Sequence, residues 1–176
     1  MSGYRNLITN PRPSATTPNP WLANGVSMQV ENDSILLVSD SNGGNCFAKT
    51  TLRLPAGSYV FSAWLNSFSS IFDPFSNRAL LVSTVIGQSV IVVGTALYET
   101  CPARYACGFT LAEESDIELR MYAPSTASVA ARWADAMVCT ADDWQALRAM
   151  TPPVNYFDGG RITTTGTLIP DGGLAS

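Results

Sequence analysis

One carboxylate in the last long predicted β-strand is a candidate for chemistry. Period-two alternation places Asp135 on the strand face that also carries Trp133, Met137 and Cys139. A carboxylate on an apolar face needs a polar partner when it is buried. Calcium takes carboxylate and carbonyl oxygens, so Asp135 is a candidate Ca²⁺ ligand. The alternative is a hydrogen bond to backbone or to an arginine such as Arg132.

One aromatic side chain is a candidate for ligand binding. The chain has four tryptophans, and flat aromatic faces can stack on sugar rings. Trp64 is the best candidate, because alternation puts it on the strand face opposite Phe61 and Leu65. Core packing or a subunit interface, where tryptophan is enriched, is the alternative for all four.

Other reactive residue types predict no enzyme. The chain contains no histidine, which excludes Ser-His-Asp and Cys-His catalysis and His-ligated zinc. The paired carboxylates at 113–114 and 142–143 are typical of a solvated turn and of a first helical turn. The four cysteines allow three pairings if all are oxidised, and reduced buried thiols are the interpretation that suits a reducing cytoplasm. They are Cys46, Cys101, Cys107 and Cys139.

Charge is scarce in this chain. It has 176 residues, a formal net charge of −4 and 14% charged residues, and Lys49 is its one lysine. This composition excludes the clustered positive charge that nucleic-acid binding needs. The uncharged run 79–98 contains Gly87 and Gln88 between two Val/Ile-rich segments, which predicts a β-hairpin and no membrane span. A surface with so little charge predicts that neighbouring subunits cover part of it, and hence a homo-oligomer.

Alternating strands must position these side chains. Period-two patterns and turn signals predict about nine short strands, which indicates an all-β fold, an antiparallel β-sandwich of jelly-roll type. One short helix is expected near 141–150, because Thr140 can cap it and Trp144, Leu147 and Met150 share a face. The predicted strands are 26–31, 34–39, 46–54, 57–65, 79–86, 90–98, 105–111, 116–122 and 130–139.

The predicted domain organisation has three parts. Residues 1–20 form an extended N-terminal arm, 21–160 form the jelly-roll sandwich, and 161–176 form a C-terminal tail. The aromatic segment 68–75 has almost no charge and predicts an interface, with a small satellite core as the alternative. Its apolar candidates are Phe68, Ile71, Phe72 and Phe75.

Motifs in a fixed order carry a resemblance to a known family. They are NLITNP at 6–11, LPAGSYVFSAW at 54–64, RWADAMV at 132–138 and NYFDGG at 155–160. In this order they resemble the jelly-roll domain of bacteriophage minor tail proteins and other virion proteins, which is itself similar to carbohydrate-binding modules. Family members often carry an acidic residue after Asn-Pro that joins a calcium site, and here Arg12 and Pro13 follow instead.

The resemblance implies a function, a location and partners. It implies a non-enzymatic structural protein of a bacteriophage virion, made in the host cytoplasm, that serves as a capsid-decoration or minor tail or fibre subunit. Other virion proteins would be its partners, with no nucleic acid and no membrane. The alternative is a carbohydrate-binding module that recognises host-surface glycans. No cofactor is expected apart from the candidate Ca²⁺ at Asp135.

Overall fold

The structure is a computed structural model that describes residues 4–8, 19–31, 33–43, 45–67, 78–86, 89–154, 161–162 and 168–169. Among them, no helix has the length and hydropathy that a membrane span requires. In chain order the described elements are β1 (Tyr4–Arg5), β2 (Leu22–Asn24), β3 (Val26–Glu31), β4 (Ser34–Ser39), β5 (Phe47–Leu54), β6 (Gly57–Ser67), β7 (Arg78–Ile86), β8 (Ser89–Leu97), β9 (Ala103–Leu111), β10 (Ser115–Tyr122), β11 (Ala130–Thr140), α1 (Ala141–Ala149), β12 (Arg161–Ile162) and β13 (Leu168–Ile169).

Two five-stranded antiparallel sheets form a jelly-roll β-sandwich. The strand order is β2-β5-β10-β7-β8 in the first sheet and β3-β4-β11-β6-β9 in the second sheet. The two-residue strands form a small sheet in the order β1-β12-β13, which pairs part of the predicted arm with part of the predicted tail. The predicted fold class, an all-β sandwich with one short helix, is therefore confirmed.

Alternation correctly predicts the inner faces of β6 and β10. Ile117, Leu119 and Met121 of β10 are buried, as are Phe61 and Leu65 of β6. These side chains meet in the core between the sheets. The sequence does not predict β2, because three residues are too few for a periodic signal. The predicted turn at 87–88 lies outside the described residues.

Strand β11 contains a β-bulge at Asp135. Ala134 pairs with Trp64 and Met137 pairs with Ser62. Between these two pairs, β11 advances by three residues and β6 by two. The backbone of Asp135 has a φ of 53°, in the left-handed region that aspartate tolerates better than most residues. An extra residue of this kind reverses the alternation of side chains along its strand.

The bulge changes which side chains share a face. Trp133 is buried in the main core, whereas Met137 and Cys139 pack with Leu147 of α1 in a separate cluster. The prediction that Asp135 shares one apolar face with Trp133, Met137 and Cys139 is therefore wrong. Simple alternation fails here because it assumes an uninterrupted period of two.

Asn6 ties the N-terminal segment to β11 directly after the bulge. The buried Asn6 Nδ2 donates to the carbonyl oxygen of Ala136 at 3.0 Å. Its Oδ1 accepts from the backbone N–H groups of Val138 and Ile8, each at 3.1 Å. The backbone N–H of Leu7 also donates to the carbonyl oxygen of Val138 at 2.8 Å. One side chain thus satisfies backbone groups that the irregular strand leaves without a regular ladder partner.

We expect Asn6→Ala to lower the free energy of unfolding by about 2–4 kcal/mol, because it leaves buried backbone groups without partners. Chemical denaturation measures this change. Asn24→Ala is the matched control, since Asn24 donates a single exposed hydrogen bond to the carbonyl oxygen of Asn45. Equal losses for the two variants would contradict the role assigned to Asn6.

Helix α1 begins and ends as the sequence predicts. The Thr140 hydroxyl accepts a hydrogen bond from the backbone N–H of Asp143 at 3.2 Å and caps the helix. Leu147 is fully buried, and Trp144 and Met150 pack beside it against the second sheet. The helix therefore covers part of the outer face of that sheet, and another part of that face is exposed among the described residues.

The single lysine belongs to a charged cluster on the outer face of the first sheet. Lys49 Nζ donates to one carboxylate oxygen of the buried Glu118 at 2.8 Å, and Arg120 Nε donates to the other at 2.6 Å. Burial alone would raise the pKa of Glu118, but the hydrogen bonds from Lys49 and Arg120 outweigh it and leave this pKa below its ordinary value. The guanidinium carbon of Arg120 also lies 4.4 Å from the centre of the Phe47 ring.

Strands β8 and β9 approach closely at one side of the sandwich, where each is the last strand of its sheet. A Cβ atom on Gly94 would lie 3.0 Å from the carbonyl oxygen of Gly108 and 3.2 Å from the Cβ of Phe109. A side chain on residue 94 would therefore crowd the β9 backbone, and glycine permits the close approach of the two strands. The second half of β8 closes the sandwich against β9.

Candidate functional site

Trp64 lies on the open part of the outer face of the second sheet. All four tryptophans are among the described residues, and Trp64, at 40%, is the exposed one. Trp21 and Trp133 are buried in the core, and Trp144 packs beside α1. The predicted strand face of Trp64 is therefore confirmed, because its neighbours along β6, Ala63 and Leu65, face the core.

The strands on either side of β6 place charged side chains next to Trp64. Arg104 of β9 is directly opposite Trp64 in the register, and Ala134, which precedes the bulge, is opposite it on β11. The Arg104 guanidinium donates to the hydroxyl oxygen of Ser62 at 3.1 Å and to the carbonyl oxygen of Asp135 at 3.2 Å. These four side chains, Ser62, Trp64, Arg104 and Asp135, are called the Trp64 patch below.

Arg104 and Asp135 form an ion pair within the patch. Arg104 Nη2 lies 3.8 Å from Asp135 Oδ2, and the Arg104 side chain is only 13% exposed. The guanidinium is thus fixed by a hydroxyl, a backbone carbonyl and a carboxylate. No local motif marks Arg104 in the sequence, because its partners lie on two other strands.

The same ion pair bears on the calcium prediction. The Asp135 carboxylate has the Arg104 guanidinium as its positively charged neighbour. Among the described residues, no group of three or more Cys, Asp or Glu side chains is placed to hold a metal ion. This donor set supports an arginine partner better than Ca²⁺, which takes six to eight oxygen ligands. That arginine is Arg104, whereas Arg132, the arginine named from the sequence, pairs with Glu31. Calcium binding at Asp135 stays a prediction.

A cleft of about 290 Å³ adjoins the patch at Arg104. Its volume is close to the lower end of ligand pockets, about 300 Å³. The Tyr105 hydroxyl holds the loop at its rim by accepting from the backbone N–H groups of Glu99 and Thr100, at 3.0 and 2.9 Å. The residues that line the cleft are Ala96, Leu97, Glu99, Thr100, Ala103, Arg104, Tyr105 and Ala106.

The predicted interface segment is not part of this site as described. Phe68, Ile71, Phe72 and Phe75 lie outside the described residues. Their role as a contact surface stays a prediction.

Three of the four cysteines, Cys46, Cys107 and Cys139, are free thiols. Cys46, Cys107 and Cys139 are buried, and Cys101 is half-buried. Burial raises the pKa of Cys107 to about 12. Burial, together with the nearby charge of Asp143, raises the pKa of Cys139 to about 12. Such thiols stay protonated at neutral pH and act as small apolar side chains.

We expect the buried thiols to make the protein less stable in alkali. A thiol in the unfolded chain ionises near its ordinary pKa of 9.0, whereas Cys107 holds its proton until about pH 12. The folded state therefore binds more protons above pH 9, and stability falls by about 1.4 kcal/mol per pH unit for each such thiol. Unfolding curves at pH 8 and pH 10 measure this slope. Cys107→Ala should make it shallower, and an unchanged slope would contradict the assignment.

Comparisons with known proteins show the fold. No protein-family model and no curated protein matches the chain. Among solved structures, a CBM4 carbohydrate-binding module superposes with a TM-score of 0.55 at 11% identity, over 70% of this chain and 96% of the module. The CBM22-1 xylan-binding domain of Paenibacillus barcinonensis Xyn10C gives a TM-score of 0.51 at 11% identity, over 78% and 92%.

A third structural neighbour is the second N-terminal cellulose-binding domain of Cellulomonas fimi β-1,4-glucanase C. It gives a TM-score of 0.50 at 15% identity and covers 78% of this chain and 95% of that domain. All three neighbours are carbohydrate-binding modules with nearly their whole length matched. The likeness establishes a shared jelly-roll sandwich, and the argument about function must rest on the side chains of this chain.

Proposed function

We propose that the protein is a non-enzymatic glycan-binding module that holds a neutral sugar chain on the Trp64 patch. The observation that carries the proposal is an exposed indole beside a fixed arginine on the outer face of a sandwich. An indole face offers apolar contact to the C–H face of a pyranose ring. Arg104 and Asp135 supply a donor and an acceptor for hydroxyl groups.

Charge supports a neutral ligand. Arg104 and Asp135 balance one another within the patch, and the whole chain carries a net charge of −4. A negatively charged protein repels acidic polysaccharides at long range. The three structural neighbours include domains described as xylan-binding and cellulose-binding, which makes soluble xylan and cellulose derivatives the first probes.

The carboxylates that cluster along the sequence support a binding role without hydrolysis. Glycoside hydrolysis needs two carboxyl groups about 5–9 Å apart on either side of the scissile bond. Glu114 and Asp116 both pair with Arg53 on the exposed surface of the first sheet. Asp142 and Asp143 lie in the first turn of α1.

We expect Trp64→Ala to lower the affinity for the bound glycan at least tenfold, about 1.4 kcal/mol, because the stacking surface is lost. A glycan array that includes xylan and cellulose oligosaccharides identifies the ligand, and calorimetry on that ligand measures the affinity. Trp64→Phe keeps an aromatic face and should retain most of the binding.

The control variant is Leu22→Ala, which removes an exposed side chain from β2, at the edge of the other sheet. It should bind as the unaltered protein does. An array without signal, or a Trp64→Ala variant with unchanged affinity, would contradict the proposal.

A structural subunit of a bacteriophage virion is the second candidate function. It is supported by the motif order at 6–11, 54–64 and 132–138 and by the exposed apolar residues of the β7–β8 hairpin. It implies location in the virion and virion proteins as partners. Mass spectrometry of purified particles tests it: a fixed copy number is expected, and absence from the particles would contradict it.

A further inference from the structure

The β7–β8 hairpin exposes apolar side chains on both of its faces. Five residues near its tip, called the hairpin patch below, are between 39% and 60% exposed. β7 pairs with β10 only from Leu80 to Thr84, so Val85 and Ile86 at the end of β7 extend past the paired part of the first sheet. No charged residue occurs from Ala79 to Tyr98. The hairpin patch consists of Val85, Ile86, Val90, Ile91 and Val92.

Strand β8 is also an edge strand. It is the last strand of the first sheet, so among the described residues its outer edge has no neighbouring strand in that sheet. Proteins protect such edges with Lys, Pro, a bulge or an inward-pointing charge. The residues from Ser89 to Val92 contain no Lys, Pro or charge, and the register shift in β8 lies beyond them, between Val92 and Gly94. An unprotected apolar edge of this kind is a template for another strand.

We propose that two copies of this chain pair through β8, antiparallel about a two-fold axis near Ile91, so that their first sheets join into one continuous sheet. An antiparallel pair of identical strands is self-complementary, which a two-fold interface requires. The edge is uncharged, so a second copy brings no like charge opposite it. A charged partner protein would find no residue of opposite charge on this strand.

Antiparallel pairing of the two edges brings the β8 side chains of both copies next to one another. Val90, Ile91 and Val92 each offer roughly 70 Å² of apolar surface, so these side chains and the paired backbones of the two copies bury on the order of 600 Å² in total, and the backbone hydrogen bonds between the edges add to this apolar contact. The second half of β8 contacts β9, since Gly94 packs on Gly108. Pairing through the first half therefore leaves the closure of the sandwich intact.

The interface is separate from the proposed glycan site. β8 runs from the hairpin tip to Leu97, which lines the cleft beside Arg104. Val92 and Leu97 are five residue steps apart along the extended strand, which is about 17 Å. Variants of the hairpin patch should therefore keep glycan binding, and the failure of either proposal leaves the other standing.

Light scattering during size exclusion tests the pairing. The unaltered protein should have twice the mass of the 18.8 kDa chain. Val92→Lys should give the single-chain mass, because it places a charge on the paired edge. Leu22→Lys, the matched control at the opposite edge of the same sheet, should keep the double mass. A single-chain mass for the unaltered protein, a mass above two chains, or a Val92→Lys variant of double mass would overturn the proposal.

Cross-linking tests the position of the axis without disturbing the fold. Ile91→Cys, in a Cys101→Ser background that removes the half-buried thiol, should form a disulfide-linked dimer on mild oxidation, since opposed strand residues lie within disulfide reach. Leu22→Cys in the same background should stay unlinked. A dimer in solution that links through Leu22→Cys and not through Ile91→Cys would place the interface elsewhere and overturn the proposal.

Discussion

At Asp135, strand β11 carries one residue more than its neighbour β6, and this bulge decides which side chains of β11 face the core and which face α1. Before it, Trp133 faces the core; after it, Met137 faces outward and packs under α1. Without the extra residue, Met137 and Cys139 would point into the core between the sheets and not toward α1. One insertion thus gives β11 two apolar faces in succession, one for the core and one for the helix.

Two distant side chains hold the bulge from different directions. Asn6 binds the backbone at Ala136 and Val138, and Arg104 binds the carbonyl oxygen of Asp135. An irregular strand leaves backbone groups without ladder partners, and buried groups of that kind must be satisfied. The arginine that meets this need also stands directly opposite Trp64. Arg104 therefore both stabilises the bulge and forms part of the proposed binding surface.

The few charged side chains of this protein are concentrated in particular places in the fold. Several of the few charges are used in fixed pairs, as in the Lys49–Glu118 contact and the Arg104–Asp135 pair. The uncharged segment from Ala79 to Tyr98 contains most of β7 and β8. The first part of β7 is buried, whereas the described residues 85–86 and 90–92 are exposed. A low charge fraction thus reflects both a well-packed sandwich and an apolar edge that we propose is covered by a second copy.

The sequence by itself determined the elements whose signals are local. Alternation identified the long strands and the face of Trp64, and the cap at Thr140 identified α1. Only the tertiary structure decided the place of Asp135, the partner of Asn6 and the position of Arg104. The first physical reason is that a period-two pattern does not indicate where a strand contains an inserted residue. The second is that the hydrogen bonds which stabilise the insertion join residues up to 132 positions apart.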